Sequence, residues 1–466
     1  MIGTAKVNLF PTLFSKRHVL DGRAFPASVL AILFMWSLLL CEAHAKDTEL
    51  PRRSFIGIAM QTVDHPNGQV QVERVIENSS AALSDLRRGD LIMALDGTKI
   101  STPEELVAQL KPRRAGDTVQ LEIWRDGTGL TKNLTLVGLP FEKAPDFNTA
   151  YEAVMVDGFK RRTIITQPKG SGRFPAVLFV GGIGCYSMES PFDETEVYRQ
   201  LLSSLTREGF VTMRVEKSGM GDSQGPACES VDLDTEVSGY REGLNALKLK
   251  PYVDPDRVFV IGHSIGGIVG PLVAAQAPVK GIVAMGTVGT TWFEYELINR
   301  RRQLKLSGLT PRAINLQMRL KQWCMHRLLI EAQPRSAILH EKPDCEAEMK
   351  IPTSDVYLQQ IAAIDIAELW ASLKTEVLLI YGSSDYLTST DEHLEIQAVV
   401  NAETPGAATY VEVADLDHFM TRANSQSESF QRKRSGDDAT FHEGLASIIE
   451  DWLKGSAGVS STGNRP

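Results

Sequence analysis

The stretch Val258-Phe259-Val260-Ile261-Gly262-His263-Ser264-Ile265-Gly266-Gly267 constrains this chain more than any other. Four apolar, β-prone residues run into Gly-His-Ser-Ile-Gly, and an apolar helical stretch over 265–277 follows. A strand, a tight turn and a helix in that order make G-x-S-x-G a nucleophile elbow, with the serine hydroxyl lifted above a sheet edge. The glycines let the backbone turn sharply around a strained Ser264. Glycine is common, so the bare pattern says little on its own. It gains meaning only if an acid and a histidine follow Ser264 in the right places.

At 466 residues the chain exceeds one ordinary core, and two domains plus appendages are expected. Its 43% hydrophobic and 23% charged residues are those of a globular protein. A net charge of −9 argues against a nucleic-acid binder that neutralises phosphates. Near the start, Lys16, Arg17 and Arg23 precede an almost wholly apolar run over 27–40, then Ala43-His44-Ala45. That is the layout of a signal peptide, residues 1–45, cleaved after Ala45. An uncleaved membrane anchor is the other reading, but the run is short for a span. The mature chain is therefore expected to be exported, periplasmic or secreted, with no stable membrane span. Cys41 follows Leu40, where a lipoprotein signal wants a small residue. Export leaves Cys185, Cys228, Cys324 and Cys345 in an oxidising compartment, where three pairings are open and four free thiols are the alternative.

Residues 54–137 read as a small β-rich module. Short apolar stretches at 55–60, 70–76, 91–95, 119–124 and 133–137 are separated by Pro66-Asn67-Gly68, Asp96-Gly97 and Asp126-Gly127. Two helical patterns interrupt them, the second opened by Thr102-Pro103-Glu104-Glu105. Ser54-Phe55-Ile56-Gly57-Ile58, Ser80-Ala81-Ala82, Leu86-Arg87-Arg88-Gly89-Asp90-Leu91-Ile92 and Asp96-Gly97 resemble a PDZ domain of the bacterial exported type. The resemblance implies capture of a protein C-terminus by strand addition, with Phe55, Ile56, Gly57 and Ile58 lining the groove. A purely structural appendage is the other reading.

Residues 138–149, with Pro140 and Pro145 and no clear period, read as a linker. From Tyr151 a new pattern begins. A hairpin at 153–156 and 162–167 precedes buried strands at 176–180, 211–215, 258–261, 281–285, 377–381 and 408–413. Helical patterns separate most of them, which predicts a mostly parallel α/β sheet with helices on both faces over 150–455. Residues 289–372 carry helical patterns without a strand and read as an inserted helical cap. Residues 424–437 read as a mobile polar loop and 456–466 as a disordered tail.

The elbow demands an acid and then a histidine. Asp385 ends the strand at 377–381, and His418 follows the strand at 408–413. His393 lies in a helical pattern too close to Asp385, and His442 opens the terminal helix. A serine hydroxyl needs a base near working pH, which His418 supplies, and Asp385 would fix its tautomer. Asp415 and Asp417 are the rival acids, read as solvated or supporting. An oxyanion needs two N–H donors. Ile265, after the nucleophile, supplies one; the loop Gly181-Gly182-Ile183-Gly184-Cys185 supplies the other, from Ile183 with Gly182 as fallback.

With Arg214-Val215-Glu216-Lys217-Ser218-Gly219-Met220-Gly221-Asp222-Ser223 and Val253-Asp254-Pro255-Asp256-Arg257, this order resembles the α/β-hydrolase superfamily over about 150–455. Gly181-Gly182 stands where many members have His-Gly. In that fold the loops holding Cys185 and Cys228 leave neighbouring strands at one sheet edge, which pairs these two and leaves Cys324 and Cys345 to staple the cap. Trp292, Phe293, Tyr295 and Trp323 read as cap packing or an acyl pocket, and Arg300-Arg301-Arg302 as a solvated face or an anion contact. Glu189 and Glu294 are candidates to receive a substrate amine. The leading expectation is a serine hydrolase of carboxylic esters, with a peptidase or aminopeptidase-like enzyme as the alternative. An inactive hydrolase body led by its PDZ module is a third reading. No metal or cofactor is expected.

Overall fold

The computed structural model describes residues 50–66 and 68–458. The signal-peptide reading of 1–45 and the tail reading of 459–466 lie outside these residues. The larger part of the chain is built on one eight-stranded sheet: β1 (Phe147–Val156), β2 (Phe159–Pro168), β3 (Phe174–Val180), β4 (Val211–Val215), β5 (Val253–His263), β6 (Gly281–Met285), β7 (Glu376–Gly382) and β8 (Ala408–Val413). Across the sheet the order is β8-β7-β6-β5-β3-β4-β2-β1. The β1–β2 hairpin and the β2–β4 pair are antiparallel, and every other pair is parallel.

Side chains alternate between the two faces of a strand, and both faces here are covered. Val258 and Val260 of β5 join Leu178, Ile282 and Leu379 under helices Leu233–Lys248 and Gly266–Gln276. Phe259 and Ile261 join Phe179, Val283 and Leu378 under helices Val197–Arg207 and Glu443–Ala457. The mostly parallel, doubly covered sheet expected from the alternating pattern is therefore present, and the elbow lies at its centre.

Between β6 and β7 stand the helices Trp292–Leu306, Pro311–Met325, Arg335–Glu341, Asp355–Ala362 and Ile366–Ala371, with no strand among them. Trp292 and Tyr295 are buried in the same core as the sheet, with Phe293 and Trp323 packed against it. Arg327 and Lys342 lie over the Trp323 ring. The arginine run is also spoken for. Arg300 pairs with Glu348, Arg301 donates to Asn315 Oδ1 (3.1 Å), and Arg302 donates to the carbonyls of Tyr386 (3.1 Å) and Thr388 (2.6 Å). Disulfides join Cys185 to Cys228 and Cys324 to Cys345.

The N-terminal module has its own core, centred on Val70, Val72, Ile92, Leu106, Leu121 and Ile123. Its sheet runs Ile58–Thr62, Val70–Val75, Leu91–Leu95, Thr118–Arg125, Thr128–Thr135, with Ile58–Thr62 at an edge. Ser54–Phe55 pairs antiparallel with Val137–Gly138.

Three expectations need correction. The stretch read as a linker includes the start of β1 and Glu142. The Glu142 carboxylate is buried and accepts from Arg214 Nη1 (2.9 Å), Arg214 Nη2 (2.6 Å) and Ser190 N (2.7 Å). The stretch read as a mobile loop holds a helix, Gln426–Ser435, capped by the Ser425 hydroxyl and tied down by Arg432 on Asp417. The terminal helix runs on to Ala457, into the stretch read as tail. The first two are polar segments held by partners distant in the chain, which hydrophobic periodicity does not register; the third ends on Ala457, packed in the apolar core.

Candidate active site

Ser264 sits between the end of β5 and helix Gly266–Gln276 with φ at +58°, a left-handed conformation that strains any side-chain-bearing residue. Its N–H donates to the Met285 carbonyl (2.9 Å), which anchors the turn to β6. The flanking glycines are required by contact. A Cβ on Gly262 would lie 2.1 Å from the Gly266 carbonyl oxygen, and one on Gly266 would lie 2.2 Å from that of Val180.

His418 and Asp385 reach this serine from the ends of β8 and β7. His418 Nε2 lies 3.1 Å from Ser264 Oγ, and its Nδ1 lies 2.9 Å from Asp385 Oδ2. A carboxylate only accepts, so Nδ1 carries the proton and Nε2 turns a lone pair toward the serine hydroxyl. Asp385 Oδ2 also accepts from Thr388 Oγ1 (2.6 Å), and Oδ1 from the N–H groups of Leu387 (2.7 Å) and Thr388 (3.0 Å). Burial pushes its carboxyl up, but the His418 ring and these donors outweigh it and hold it well below the usual carboxylate range.

The rival acids stand elsewhere. Asp415 is exposed. Asp417 is buried rather than solvated. It accepts from Thr421 N (2.9 Å), Ser429 Oγ (2.8 Å) and Arg432 Nη2 (2.8 Å), and so braces the loop that presents His418. Glu189, a candidate for a substrate amine, already binds Arg52 at 2.6 Å; Glu294 is exposed on the first helix of the cap.

Gly181 and Gly182 follow β3 against the elbow. A Cβ on Gly182 would lie 3.7 Å from Ser264 Cβ, and one on Gly181 would meet the Tyr186 hydroxyl at 2.7 Å. The Gly182 N–H donates to the Tyr198 hydroxyl (3.4 Å), so it is engaged within the protein while Ile183 follows it in the turn. In the N-terminal module, Gly57 has φ +75°, the Ile56 and Gly57 carbonyls accept from Ala81 N and Ile76 N, and Ile58 opens the edge strand. The Phe55 ring contacts Phe192 with centroids 5.1 Å apart.

Two residues at the site were given no role by the sequence: one outside any motif, the other at the open position of G-x-S-x-G. Gly286, with φ +53°, lies where a Cβ would be 3.1 Å from both Asp385 Oδ2 and His418 Nδ1. His263 is buried beside the serine. Its Nε2 donates to the His418 carbonyl (2.7 Å), so its Nδ1 accepts from the Tyr198 hydroxyl (2.8 Å). Burial, reinforced by the neighbouring His418, brings its pKa down to about 3. Above the ordinary histidine value both folded and unfolded chains leave this ring neutral. Below it only the unfolded chain takes the proton, so His263 stabilises the fold at neutral pH and that stability drains away as pH falls toward about 3. Between about pH 7 and pH 5 the loss amounts to about 2 kcal/mol. Urea titrations at both pH values are expected to show this difference shrink by that amount in His263→Asn.

Comparison with known proteins agrees in two places along the chain. Residues 54–136 match the family model of the PDZ domain, and residues 192–420 match that of the S33 serine aminopeptidases. Esterase EstD of Thermotoga maritima is 24% identical over 276 residues, 58% of this chain and 61% of that one. The probable periplasmic serine endoprotease DegP-like of Rhizobium meliloti is 26% identical over 125 residues, 22% of this chain and 25% of that one. The chain thus spans less than two thirds of either relative. Among solved structures, ferulic-acid-bound Est1E of Butyrivibrio proteoclasticus has a TM-score of 0.42 and 15% identity, over 66% of this chain and 99% of that one.

Proposed function

The chain being an α/β hydrolase with a PDZ domain joined to it, we propose that it is an exported serine hydrolase that cleaves carboxylic esters through an acyl-enzyme at Ser264. One observation carries the reading: His418 bridges Ser264 Oγ and Asp385 Oδ2 in the tautomer a general base needs. Ser264 Oγ attacks the acyl carbonyl as His418 Nε2 takes its proton. The N–H groups of Ile265 and Ile183 receive the oxyanion, with Gly182 as the alternative second donor. The tetrahedral intermediate expels the alcohol, which takes the proton from His418, and water then releases the acid by the same steps. The two disulfides suit an oxidising compartment, and no helix among the described residues is long and apolar enough to cross a membrane.

Peptide hydrolysis is the second reading, favoured by the edge strand Ile58–Thr62 of a PDZ domain that would hold a peptide C-terminus along Phe55–Ile58. A fluorophosphonate probe is expected to label the wild-type chain and not Ser264→Ala. Among p-nitrophenyl esters and aminoacyl or peptide anilides, the esters are expected to turn over faster. Rapid anilide cleavage with slow ester turnover would establish the peptidase reading instead. A wild-type chain that takes no label and still binds C-terminal peptides would leave only the binding role.

Gly286→Ala offers a local check on the same geometry. The added methyl strains a positive φ and presses on the Asp385–His418 pair. A displacement of a few tenths of an ångström there is expected to lower kcat by about 10-fold to 100-fold with KM little changed.

A further inference from the structure

Behind the Gly181–Gly182 turn lies a buried polar pair that the acyl-transfer steps do not use. Lys217 follows β4, and its side chain is almost fully enclosed. Its Nζ donates to the Gly182 carbonyl (2.9 Å) and pairs with Glu236 Oε1 (3.0 Å) on helix Leu233–Lys248. The Tyr186 hydroxyl donates to the same carbonyl (2.9 Å). One peptide oxygen next to the elbow therefore receives a buried ammonium and a phenol together.

A trans peptide is planar, and its C=O and the following N–H point in opposite directions. Two donors on the Gly182 oxygen fix that plane and turn the Ile183 N–H away from Lys217. A cation on the oxygen also draws electron density from the far end of the peptide, so its N–H becomes a stronger donor to developing negative charge. Burying a lysine and a glutamate is costly, and an apolar pair of similar size would hold the same helix and strand together without that cost. The position of the ammonium on this one carbonyl is what an apolar pair could not reproduce.

We propose that Lys217 is a positioning residue for the oxyanion hole: held by Glu236, it locks and polarises the Gly182–Ile183 peptide so that the Ile183 N–H meets the oxyanion. The inference rests on the acyl-transfer reading above. It concerns only the transition state, because a neutral ground-state carbonyl gains little from a stronger donor.

The test is Lys217→Met alone and combined with Glu236→Gln, the second so that no carboxylate is left buried without its partner. Each is assayed with a p-nitrophenyl ester, with a trifluoromethyl ketone whose serine adduct carries the oxyanion, and with the unreactive, neutral carboxamide of the same acyl group. In the double variant kcat is expected to fall about 10-fold to 100-fold with KM within about 2-fold. Affinity for the trifluoromethyl ketone should fall in the same proportion and affinity for the neutral carboxamide stay unchanged, with partial recovery in Lys217→Arg. Unchanged kcat and unchanged ketone affinity in the double variant would overturn the inference, as would equal weakening of the ketone and the neutral carboxamide. A wild-type chain that takes no fluorophosphonate label would overturn the acyl-transfer reading, and this inference with it. A labelled wild type beside an unaffected variant would overturn the inference alone.

Discussion

Asp385→Asn is expected to lower kcat/KM by about 10⁴-fold, and Asp417→Asn by less than about 10-fold. Both acids stand in loops after neighbouring strands, and the contrast between them tests which one acts on the histidine. Asp385 Oδ2 lies 2.9 Å from His418 Nδ1, so its carboxylate keeps the proton on that nitrogen and leaves Nε2 free for Ser264. An asparagine amide turned to satisfy Leu387 and Thr388 presents an NH₂ to the ring instead, which favours the opposite tautomer and removes the base. None of the hydrogen bonds of Asp417 reaches the His418 ring; they go to Phe419, Thr421, Ser429 and Arg432. Loss of that carboxylate should loosen the loop and lower the midpoint of denaturation more than it lowers turnover. Steady-state kinetics on both variants decide the matter, and a larger kinetic loss at Asp417 would make it the acid.

The largest effect on stability is expected from Glu142→Gln, a loss of about 3–5 kcal/mol in urea denaturation. Arg214 is fully enclosed, and both its terminal nitrogens point at the Glu142 carboxylate. Burial alone would drive the Glu142 carboxyl up; the guanidinium outweighs it and holds the carboxyl below its ordinary value. Without that charge Arg214 keeps its own charge in a dry site, with only the Met188 carbonyl and the single glutamine oxygen left to accept from it and the glutamine NH₂ set against its other terminal nitrogen. The exposed pair between Asp146 and Arg207 is the control. Solvent screens it, and Asp146→Asn is expected to cost about 1 kcal/mol or less. Equal losses in the two variants would mean that the Glu142 pair holds nothing together.

Much of this architecture is legible in the sequence because it is local. Val258 to Ile261 alternate faces by backbone geometry alone, and Gly262 and Gly266 announce a turn that only glycines can close. The order Ser264, Asp385, His418 depends on where strands end, and apolar runs mark those ends well. What escaped the sequence depends on residues that meet only after folding. Glu142 reads as part of a proline-containing linker until Arg214 is seen against it, and Arg432 as part of a polar loop until Asp417 is seen beneath it. Glu189 reads as a free acid until Arg52 of the N-terminal module is found on it. Gly286 has no motif at all, and His263 fills a position that G-x-S-x-G leaves open to any residue.

By itself, then, the chain determined its strands, its elbow and the order in which a serine, candidate acids and a histidine follow one another, since periodicity and turn sterics act over a few neighbours. Only the tertiary structure decided that Asp385 rather than Asp417 faces the histidine, and that Lys217 lies on the Gly182 carbonyl. Those contacts join residues 33 and 35 positions apart in the chain, and that of Ser264 with His418 joins residues 154 apart. A charged side chain has no preferred partner in a local window. Its partner is set by which buried carbonyl, carboxylate or cation the packed sheet brings within about 3 Å, where burial makes pairing compulsory.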